Sequence, residues 1–170
     1  AAAASRLAWF SSESLRSKSV WASSRASCAA MRACSACARF RFCPSALRIV
    51  KEVRIEELKG YDAIIVGSPT YYGGPASQIK DLFDRSVQYH GQLQDKVGGA
   101  FSSSANIAGG NETTVMAILQ CLLIHGMVVC GDSSGDHYGP VSIEKPDSRA
   151  EKNCVRYGKR IARLARKLHG

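Results

Sequence analysis

The sequence lacks any apolar stretch long enough to cross a membrane. A spanning helix needs about 20 consecutive apolar residues, and even a run of about 18 is missing from the 170 residues. We therefore expect no membrane span. The length suits one domain, with at most a short appendage, and is sufficient to bury a substantial core.

The usual motifs for metal and dinucleotide binding are also missing. None of the four histidines pairs with another at the spacing of metal ligands, and there is no G-x-G-x-x-G fingerprint. Gly131–Gly135 matches the hydrolase motif G-x-S-x-G by letter, but a loop with Pro140 follows where a nucleophile elbow needs a helix. If the chain is an enzyme, we expect a cofactor to supply the difficult chemistry.

Residues 1–47 have few of the residues that separate helices and strands. They contain no Asp, Gly or Asn and one proline, Pro44, and no stretch has the clear period of a strand or helix. Residues 1–50 hold eight Lys and Arg against one acid, Glu13, whereas residues 51–170 hold fifteen against thirteen. The net charge of +9 thus belongs mainly to the first part of the chain, and we do not expect a nucleic-acid partner.

Residues 1–47 have several possible interpretations. An organelle transit peptide is also rich in Arg and Ser and poor in acids. The pair Cys34-x-x-Cys37 is typical of metal sites, but this part has no histidine and no second such pair, so we expect no metal. A disordered basic tail is a third interpretation. A frameshifted or wrongly predicted start is a fourth, since the first methionine is Met31.

The remaining cysteines indicate a reducing compartment. Cys121, Cys130 and Cys154 lie in periodic apolar segments, as small core residues do. The total of seven is odd, and no clear secretory signal is present. We expect a cytoplasmic protein, or an organellar one if residues 1–47 are a transit peptide.

From residue 48 onward, strand and helix patterns alternate. Apolar runs predict strands at Ile49–Ile55, Ala63–Gly67, Val97–Phe101 and Met127–Cys130. Helical spacing predicts helices that begin at Pro75, at Glu112 and at a capping box, Ser148-x-x-Glu151. This alternation predicts an α/β domain with a parallel sheet covered on both faces.

A first candidate site follows the strand at Ala63–Gly67. The chain continues Ser-Pro-Thr-Tyr-Tyr-Gly-Gly-Pro, and ligands of open α/β sheets bind outside the carboxyl ends of strands. Tyrosine rings can stack on a flat heterocycle, and glycines let backbone N–H groups approach it. We predict a binding loop at Thr70, Tyr71, Tyr72 and Gly73; the alternative is an ordinary turn before a helix.

Ser102–Gly110 is a second candidate. Its serines, Asn106 and paired glycines precede a predicted helix, an arrangement that can bind an anion or a carbonyl. The alternative is a flexible connection. If the two strands are neighbours, both loops open on one edge of the sheet and form one crevice.

Two histidines are weaker candidates. His125 ends a helix, where a histidine more often stabilises the helix dipole than acts in a site. His137 and Tyr138 lie in a long loop, and long loops in compact domains are often functional; the alternative is an exposed pair without a role. No catalytic residue can be assigned from the sequence.

Three stretches together resemble a known family. DAIIVGSPTYYGGPASQIKDLFDR, DKVGGAFSSSANIAGGNETT and HGMVVCG are similar to flavodoxin-like NAD(P)H:quinone oxidoreductases, or FMN reductases, of the tryptophan-repressor-binding-protein type. The similarity covers about residues 48–170, which we expect to be a flavodoxin-like domain that follows an atypical segment, 1–47. It implies a three-layer α/β sandwich with a parallel sheet.

The resemblance also implies an activity. Family members bind FMN at the strand ends, transfer a hydride to it from NADPH or NADH, and reduce a quinone or another small acceptor as a homodimer or homotetramer. The alternative from another class is a non-enzymatic electron carrier or interaction module, or an inactive truncated relic.

The resemblance further implies which residues bind the cofactor. Thr70, Tyr71 and Tyr72 match the segment that lines the isoalloxazine ring. His125 falls where some members place a flavin-contacting histidine, and His137-Tyr138-Gly139 is similar to a loop that approaches a neighbouring subunit's flavin. The implied set is Pro69, Thr70, Tyr71, Tyr72, Gly73, Ser103, Ser104, Ala105, Asn106, Gly109, Gly110, His125, His137 and Tyr138.

Residues 1–47 depart from the family pattern. The family begins with a strand and an S-x-x-G-x-T-like loop for the FMN phosphate, and neither is recognisable here. A frameshifted or wrongly predicted start would explain this. In the strand order 2-1-3-4-5, the first strand lies between the second and third. Its loss would leave Ala63–Gly67 at a sheet edge and weaken FMN binding.

Overall fold

The computed structural model describes residues 7–11 and 45–170. Within these ranges the strands are β1 (Leu7–Ser11), β2 (Ser45–Ile49), β3 (Ala63–Tyr71), β4 (Gly74–Pro75), β5 (Val97–Ser104), β6 (Val128–Val129) and β7 (Val141–Ile143). The α-helices there are α1 (Ser77–Ser86), α2 (Asn111–Ile124) and α3 (Ser148–His169). Short 3-10 turns lie at Val50–Glu52, Ile55–Gly60 and Val87–Tyr89.

The main strands run parallel in the order β2-β1-β3-β5-β6. This is the doubly wound order 2-1-3-4-5, so the predicted parallel α/β fold is confirmed. The edge position beside β5 is shared by two short strands, because β6 pairs with Val97–Gly98 and β7 with Ser102–Ser104. Residues 130–140 form the loop between them.

Strand β1 occupies the centre of the sheet. It pairs in parallel with Ser45–Ile49 on one side and with Ala63–Gly67 on the other. The first strand of the fold is thus present among the described residues, and Ala63–Gly67 does not lie at an edge, as it would if that strand were missing. Residues 12–44, where the expected phosphate loop and the CxxC pair fall, lie outside the described residues.

Several predicted boundaries shift for local reasons. Strands β3 and β5 continue past Gly67 and Phe101 into the polar segments predicted as loops. Pro75 pairs with Thr70 in a hairpin, so α1 begins at Ser77 instead.

Two other predicted elements change in a similar way. The N-cap of α3 is Asp147, whose Oδ1 accepts a hydrogen bond from the Ala150 N–H at 2.7 Å, rather than Ser148. The strand predicted at Ile49–Ile55 is instead the end of β2 and a 3-10 turn.

Strand β3 contributes to a core on each face of the sheet. Ile64 and Val66 belong to a cluster that includes residues of α1 and α2, whereas Ala63 and Ile65 belong to one that includes residues of α3. Alternate side chains of a strand point to opposite faces, so both faces are covered. This confirms the predicted three-layer sandwich. None of the helices in the described part of the chain has the length and apolar character of a membrane span.

Candidate functional site

The two predicted binding loops leave the same edge of the sheet. Strands β3 and β5 are direct neighbours, with Ser68 opposite Ser102 and Pro69 opposite Ser103. The crevice expected between their ends is therefore formed by adjacent strands. Its two sides are the segments Pro69–Gly73 and Ser103–Gly110.

A chain of hydroxyl groups joins the strands to α2 beneath these segments. The Thr70 Oγ1 lies 3.0 Å from the Ser102 Oγ and accepts a hydrogen bond from the Thr114 hydroxyl at 3.0 Å. Ser102 and Thr114 are buried. Because a buried hydroxyl without a partner is costly, this chain fixes the relative position of β3, β5 and α2.

The first segment is a β-hairpin rather than an irregular loop. Tyr72 and Gly73 both have positive φ, +48° and +77°, as the central residues of a type I′ turn do. The Ser68 Oγ accepts a hydrogen bond from the Ala76 N–H at 2.9 Å and closes the base of the hairpin. Tyr71 is half exposed and Tyr72 fully exposed, so the Tyr72 ring is accessible at the tip and Tyr71 is partly so.

The second segment is stabilised by its own hydrogen bonds. The Ser104 hydroxyl donates to the Asn106 carbonyl at 2.9 Å and accepts from the Asn111 side-chain amide at 3.0 Å. The Gly109 N–H also donates to the Asn106 carbonyl, at 3.2 Å. Ala105 and Asn106 are exposed while Ser104 is buried, so this segment has a fixed base and an accessible rim.

The two segments touch at their glycines. A Cβ added to Gly110 would lie 2.7 Å from the Gly73 Cα, which leaves no room for a side chain. The Thr113 hydroxyl donates to the Gly73 carbonyl at 2.7 Å and lies 2.9 Å from the Gly110 carbonyl. The structure thus brings Pro69–Gly73 and Ser103–Gly110 into one site.

His125 lies at the other end of α2. The adjacent Gly126 carbonyl accepts a hydrogen bond from the Asp95 N–H at 3.1 Å, near the amino ends of the strands. The His125 Nε2 lies 2.8 Å from the Ser86 Oγ, and the Ser86 hydroxyl donates to the Phe83 carbonyl. The Nε2–H is therefore the donor. The Nδ1 is buried without a partner among the described residues, and burial, together with His90, lowers the pKa of His125.

His137 and Tyr138 lie in the loop between β6 and β7. The His137 Nδ1–H donates to the Asp132 carbonyl at 2.8 Å, and the Asp132 carboxylate pairs with Arg156 at 2.6 Å. That guanidinium holds the pKa of Asp132 below its usual range. Gly139 packs directly against the Ala100 carbonyl. The loop is held beside β5, where the Pro140 carbonyl accepts a hydrogen bond from the Ser102 N–H at 3.1 Å. Among the described residues, the next helix after Gly131–Gly135 is α3, which begins at Ser148.

The residues present suit a flat, uncharged ring. Neither Pro69–Gly74 nor Ser102–Asn111 contains a charged side chain, so the crevice offers aromatic faces, hydroxyls and backbone groups. Such a surface can stack on and hydrogen-bond a heterocycle. These two segments hold no cationic side chain that could bind the phosphate of FMN. The partners of that phosphate would have to come from other residues.

Sequence reasoning missed Thr113 and Thr114. Both lie in the first turns of α2, where a Thr-Thr pair carries no distinctive signal. Their partners are 40 and 44 residues away in the chain, so only the tertiary structure identifies them.

Comparison with known proteins identifies related sequences. Residues 49–138 match the family model for NADPH-dependent FMN reductase. A NAD(P)H dehydrogenase (quinone) of Bradyrhizobium diazoefficiens is 40% identical over 138 aligned positions, which cover 69% of this chain and 69% of the relative. An iron-sulfur flavoprotein of Methanocaldococcus jannaschii is 35% identical over 142 positions, which cover 78% and 72%.

Solved structures share the fold. A flavodoxin, WrbA-like protein from Agrobacterium tumefaciens has a TM-score of 0.76 at 22% identity and covers 96% of this chain and 99% of its own. A Fusobacterium nucleatum flavodoxin bound to flavin mononucleotide has a TM-score of 0.66 at 13% identity, with 93% and 97% covered. At these identities the similarity establishes a flavodoxin-like fold and no more.

Proposed function

Because this chain belongs to the NADPH-dependent FMN reductase family, we propose that it is an FMN-dependent oxidoreductase that passes electrons from NAD(P)H to a quinone. The family match confirms the resemblance found in the sequence. The observation that carries the proposal is the uncharged crevice at the carboxyl ends of β3 and β5, which the matched residues 49–138 contain.

The chain's own residues bind and orient the cofactor in this proposal. Bound FMN supplies reversible two-electron redox chemistry. The tip residues Tyr71 and Tyr72 offer rings for stacking, and the backbone of Thr70–Gly73 offers N–H groups at close range. Tyr71 is neutral near pH 7, as an ordinary tyrosine is, and burial raises its pKa further.

The second side of the crevice completes the proposed site. Ser103 and Ser104 at the end of β5, with Ala105 and Asn106 just after it, would face the ring edge. Gly109 packs against the Asn106 carbonyl, and Gly110 allows the close approach seen at Gly73. Tyr138, half exposed in the loop before β7, is proposed to approach a neighbouring subunit's flavin together with His137. His125 lies outside this crevice, and its predicted flavin contact is not part of the proposed site.

A homodimer or homotetramer is supported by helix α2. Its exposed face carries Met116, Leu123 and Ile124, which are 36%, 53% and 69% exposed. Of its fourteen residues, Glu112 is the one charged residue. Its exposed positions also include Glu112, Thr113 and Gln120, so the outer face is mixed. An exposed cluster of large apolar side chains is typical of an interaction site, and we propose that a second copy of the chain covers this one.

We propose a cytoplasmic location, or an organellar one if residues 1–47 act as a transit peptide. Among the described residues, no disulfide involves Cys121, Cys130 or Cys154, which suits a reducing compartment.

Titration of the purified chain with FMN tests the proposal. We expect saturable quenching of flavin fluorescence, bleaching of the bound flavin by NADPH or NADH, and reoxidation by a soluble quinone. Tyr72→Ala should weaken FMN binding, whereas Leu168→Ala, an exposed apolar residue near the end of α3, should not. A chain that quenches no flavin at saturating FMN would refute the cofactor, and bound flavin that nicotinamides do not bleach would refute the reaction.

A further inference from the structure

The Thr113 hydroxyl makes an unusual contact for a residue in the first turn of a helix. A threonine there commonly bonds a carbonyl of its own turn, and the Gly110 carbonyl at 2.9 Å is such a partner. The shorter distance, 2.7 Å, is to the Gly73 carbonyl of the hairpin. With one hydrogen to donate, the hydroxyl favours the partner from another element.

The bond from Thr113 to the Gly73 carbonyl lies next to the residue of the hairpin turn whose backbone conformation is least favourable. Tyr72 has a φ of +48°, a conformation that is uncommon for a bulky residue and persists where its surroundings hold it. Gly73, which follows it, packs on Gly110 so closely that a Cβ there would lie 2.7 Å from the Gly73 Cα. The turn therefore rests on the start of α2 and is tied to it by Thr113.

A second threonine holds the base of the same hairpin. Thr114, buried next to Thr113, donates to the Thr70 hydroxyl at 3.0 Å. The base is thus anchored inside the protein, whereas the tie from Thr113 is exposed and lies at the turn itself. The two threonines have separate tasks: Thr114 belongs to the packed interior and Thr113 to the tip.

We propose that Thr113 is a positioning residue that holds the hairpin tip, and with it the Tyr72 ring, in the conformation that receives the flavin ring. The inference rests on the proposed function, because it assumes that the ring binds at this tip. It adds a residue whose hydroxyl is bonded to the Gly73 carbonyl and that acts on the tip through this contact. Loss of the hydroxyl would let the tip sample other turn conformations and would dilute the binding-competent one.

The first experiment uses the full chain without FMN. Hydrogen exchange of the segment 70–76, followed by mass spectrometry, should be roughly fivefold faster in Thr113→Val, in line with the loss of one hydrogen bond. Thr113→Ser keeps the donor and should behave as wild type, and Thr113→Ala provides a second variant that lacks the hydroxyl. Ser148→Ala removes an exposed hydroxyl from the first turn of α3 and serves as the matched control.

The second experiment measures FMN affinity in the same variants. We expect the Kd to rise roughly fivefold in Thr113→Val and Thr113→Ala, and to stay within about twofold of wild type in Thr113→Ser and Ser148→Ala. In a Tyr72→Ala background, Thr113→Val should have a smaller effect, because the ring that it positions is gone and only the backbone of the tip remains to bind. A purely structural threonine would weaken binding equally in both backgrounds.

The outcomes separate this inference from the proposed function. Wild-type protein that binds no FMN would overturn the proposed function and the positioning role together. Wild-type binding with unchanged exchange or unchanged affinity in Thr113→Val would overturn the positioning role alone, as would equal weakening with and without Tyr72.

Discussion

At the scale of single residues, close packing makes some strand glycines irreplaceable. A Cβ added to Gly67 would lie 2.0 Å from the Phe101 Cζ on the neighbouring strand, and the Phe101 ring is buried. We expect Gly67→Ala to lower the free energy of unfolding by about 1–3 kcal/mol, since overpacking forces the ring aside. Urea unfolding measures the change. Gly60→Ala is the control, because nothing lies within 4 Å of the added carbon; similar losses at both positions would contradict this account.

His125 makes stability depend on pH at the same scale. Burial and His90 lower its pKa in the folded chain, whereas an unfolded histidine titrates near about 6.5. Below that pH, His125 binds a proton in the unfolded chain more readily than in the folded chain. The free energy of unfolding therefore falls as the pH drops below about 6.5. Above it both states are neutral and His125 contributes no slope.

Replacement of His125 by glutamine should reduce this slope. The amide of His125→Gln can still donate to Ser86, the present partner of Nε2, and it does not titrate. Urea unfolding at several pH values between about 7 and 5 measures the effect, with the wild-type chain in parallel. An unchanged slope would show that other groups cause the pH dependence.

At the scale of elements, α2 packs one apolar face into the core and leaves other apolar side chains exposed. Its inner face, with Val115, Ile118 and Leu122, packs in the core, whereas Leu123 is 53% exposed. If the outer face meets a second copy, Leu123→Lys should shift the chain toward monomer, because a buried unpaired charge is strongly unfavourable in an interface. Light scattering after gel filtration reports the mass. Leu168→Lys places the same charge at a residue 48% exposed near the end of α3 and should leave the mass unchanged.

The hairpin and helix α2 also show how elements define a site. The polar residues after Gly67 and Phe101 continue as paired strands, so the crevice has a rigid base. The apolar run of each strand stops before the strand itself ends, which is why the sequence predicted loops there. Neighbouring backbone groups, rather than side-chain pattern, decide where pairing ends.

At the scale of the whole molecule, the sheet depends on its central strand. Strand β1 pairs along its length with both β2 and β3. Ala8→Pro removes an N–H in the middle of that strand, and proline is confined to edge strands, strand starts and bulges. We expect Ala8→Pro to abolish cooperative thermal unfolding, measured by circular dichroism. Ser45→Pro, at the first residue of the edge strand β2, should be tolerated; equal effects would argue against a central β1.

The parallel α/β architecture was predictable because apolar periodicity is local. The strands at Ala63 and Val97 and the helix beginning near residue 111 follow from the spacing of their own side chains. Leu7–Ser11 was not predicted, because residues 1–47 contain no Gly, Asp or Asn, so no turn residues mark where a strand begins or ends there. Its place became clear only through pairing with strands that lie more than 30 residues away in the chain.

The sequence by itself determined the alternation of strands and helices, the two segments at the strand ends and their uncharged chemistry. These features depend on the types and spacing of residues that are close in the chain, so they can be predicted without the tertiary structure. Only the tertiary structure decided that the segments meet at Gly73 and Gly110, that Thr113 and Thr114 join them, and that His125 lies elsewhere. Hydrogen bonds and close contacts between distant residues have no period in the sequence, so they exist only once the sheet has brought its strands together.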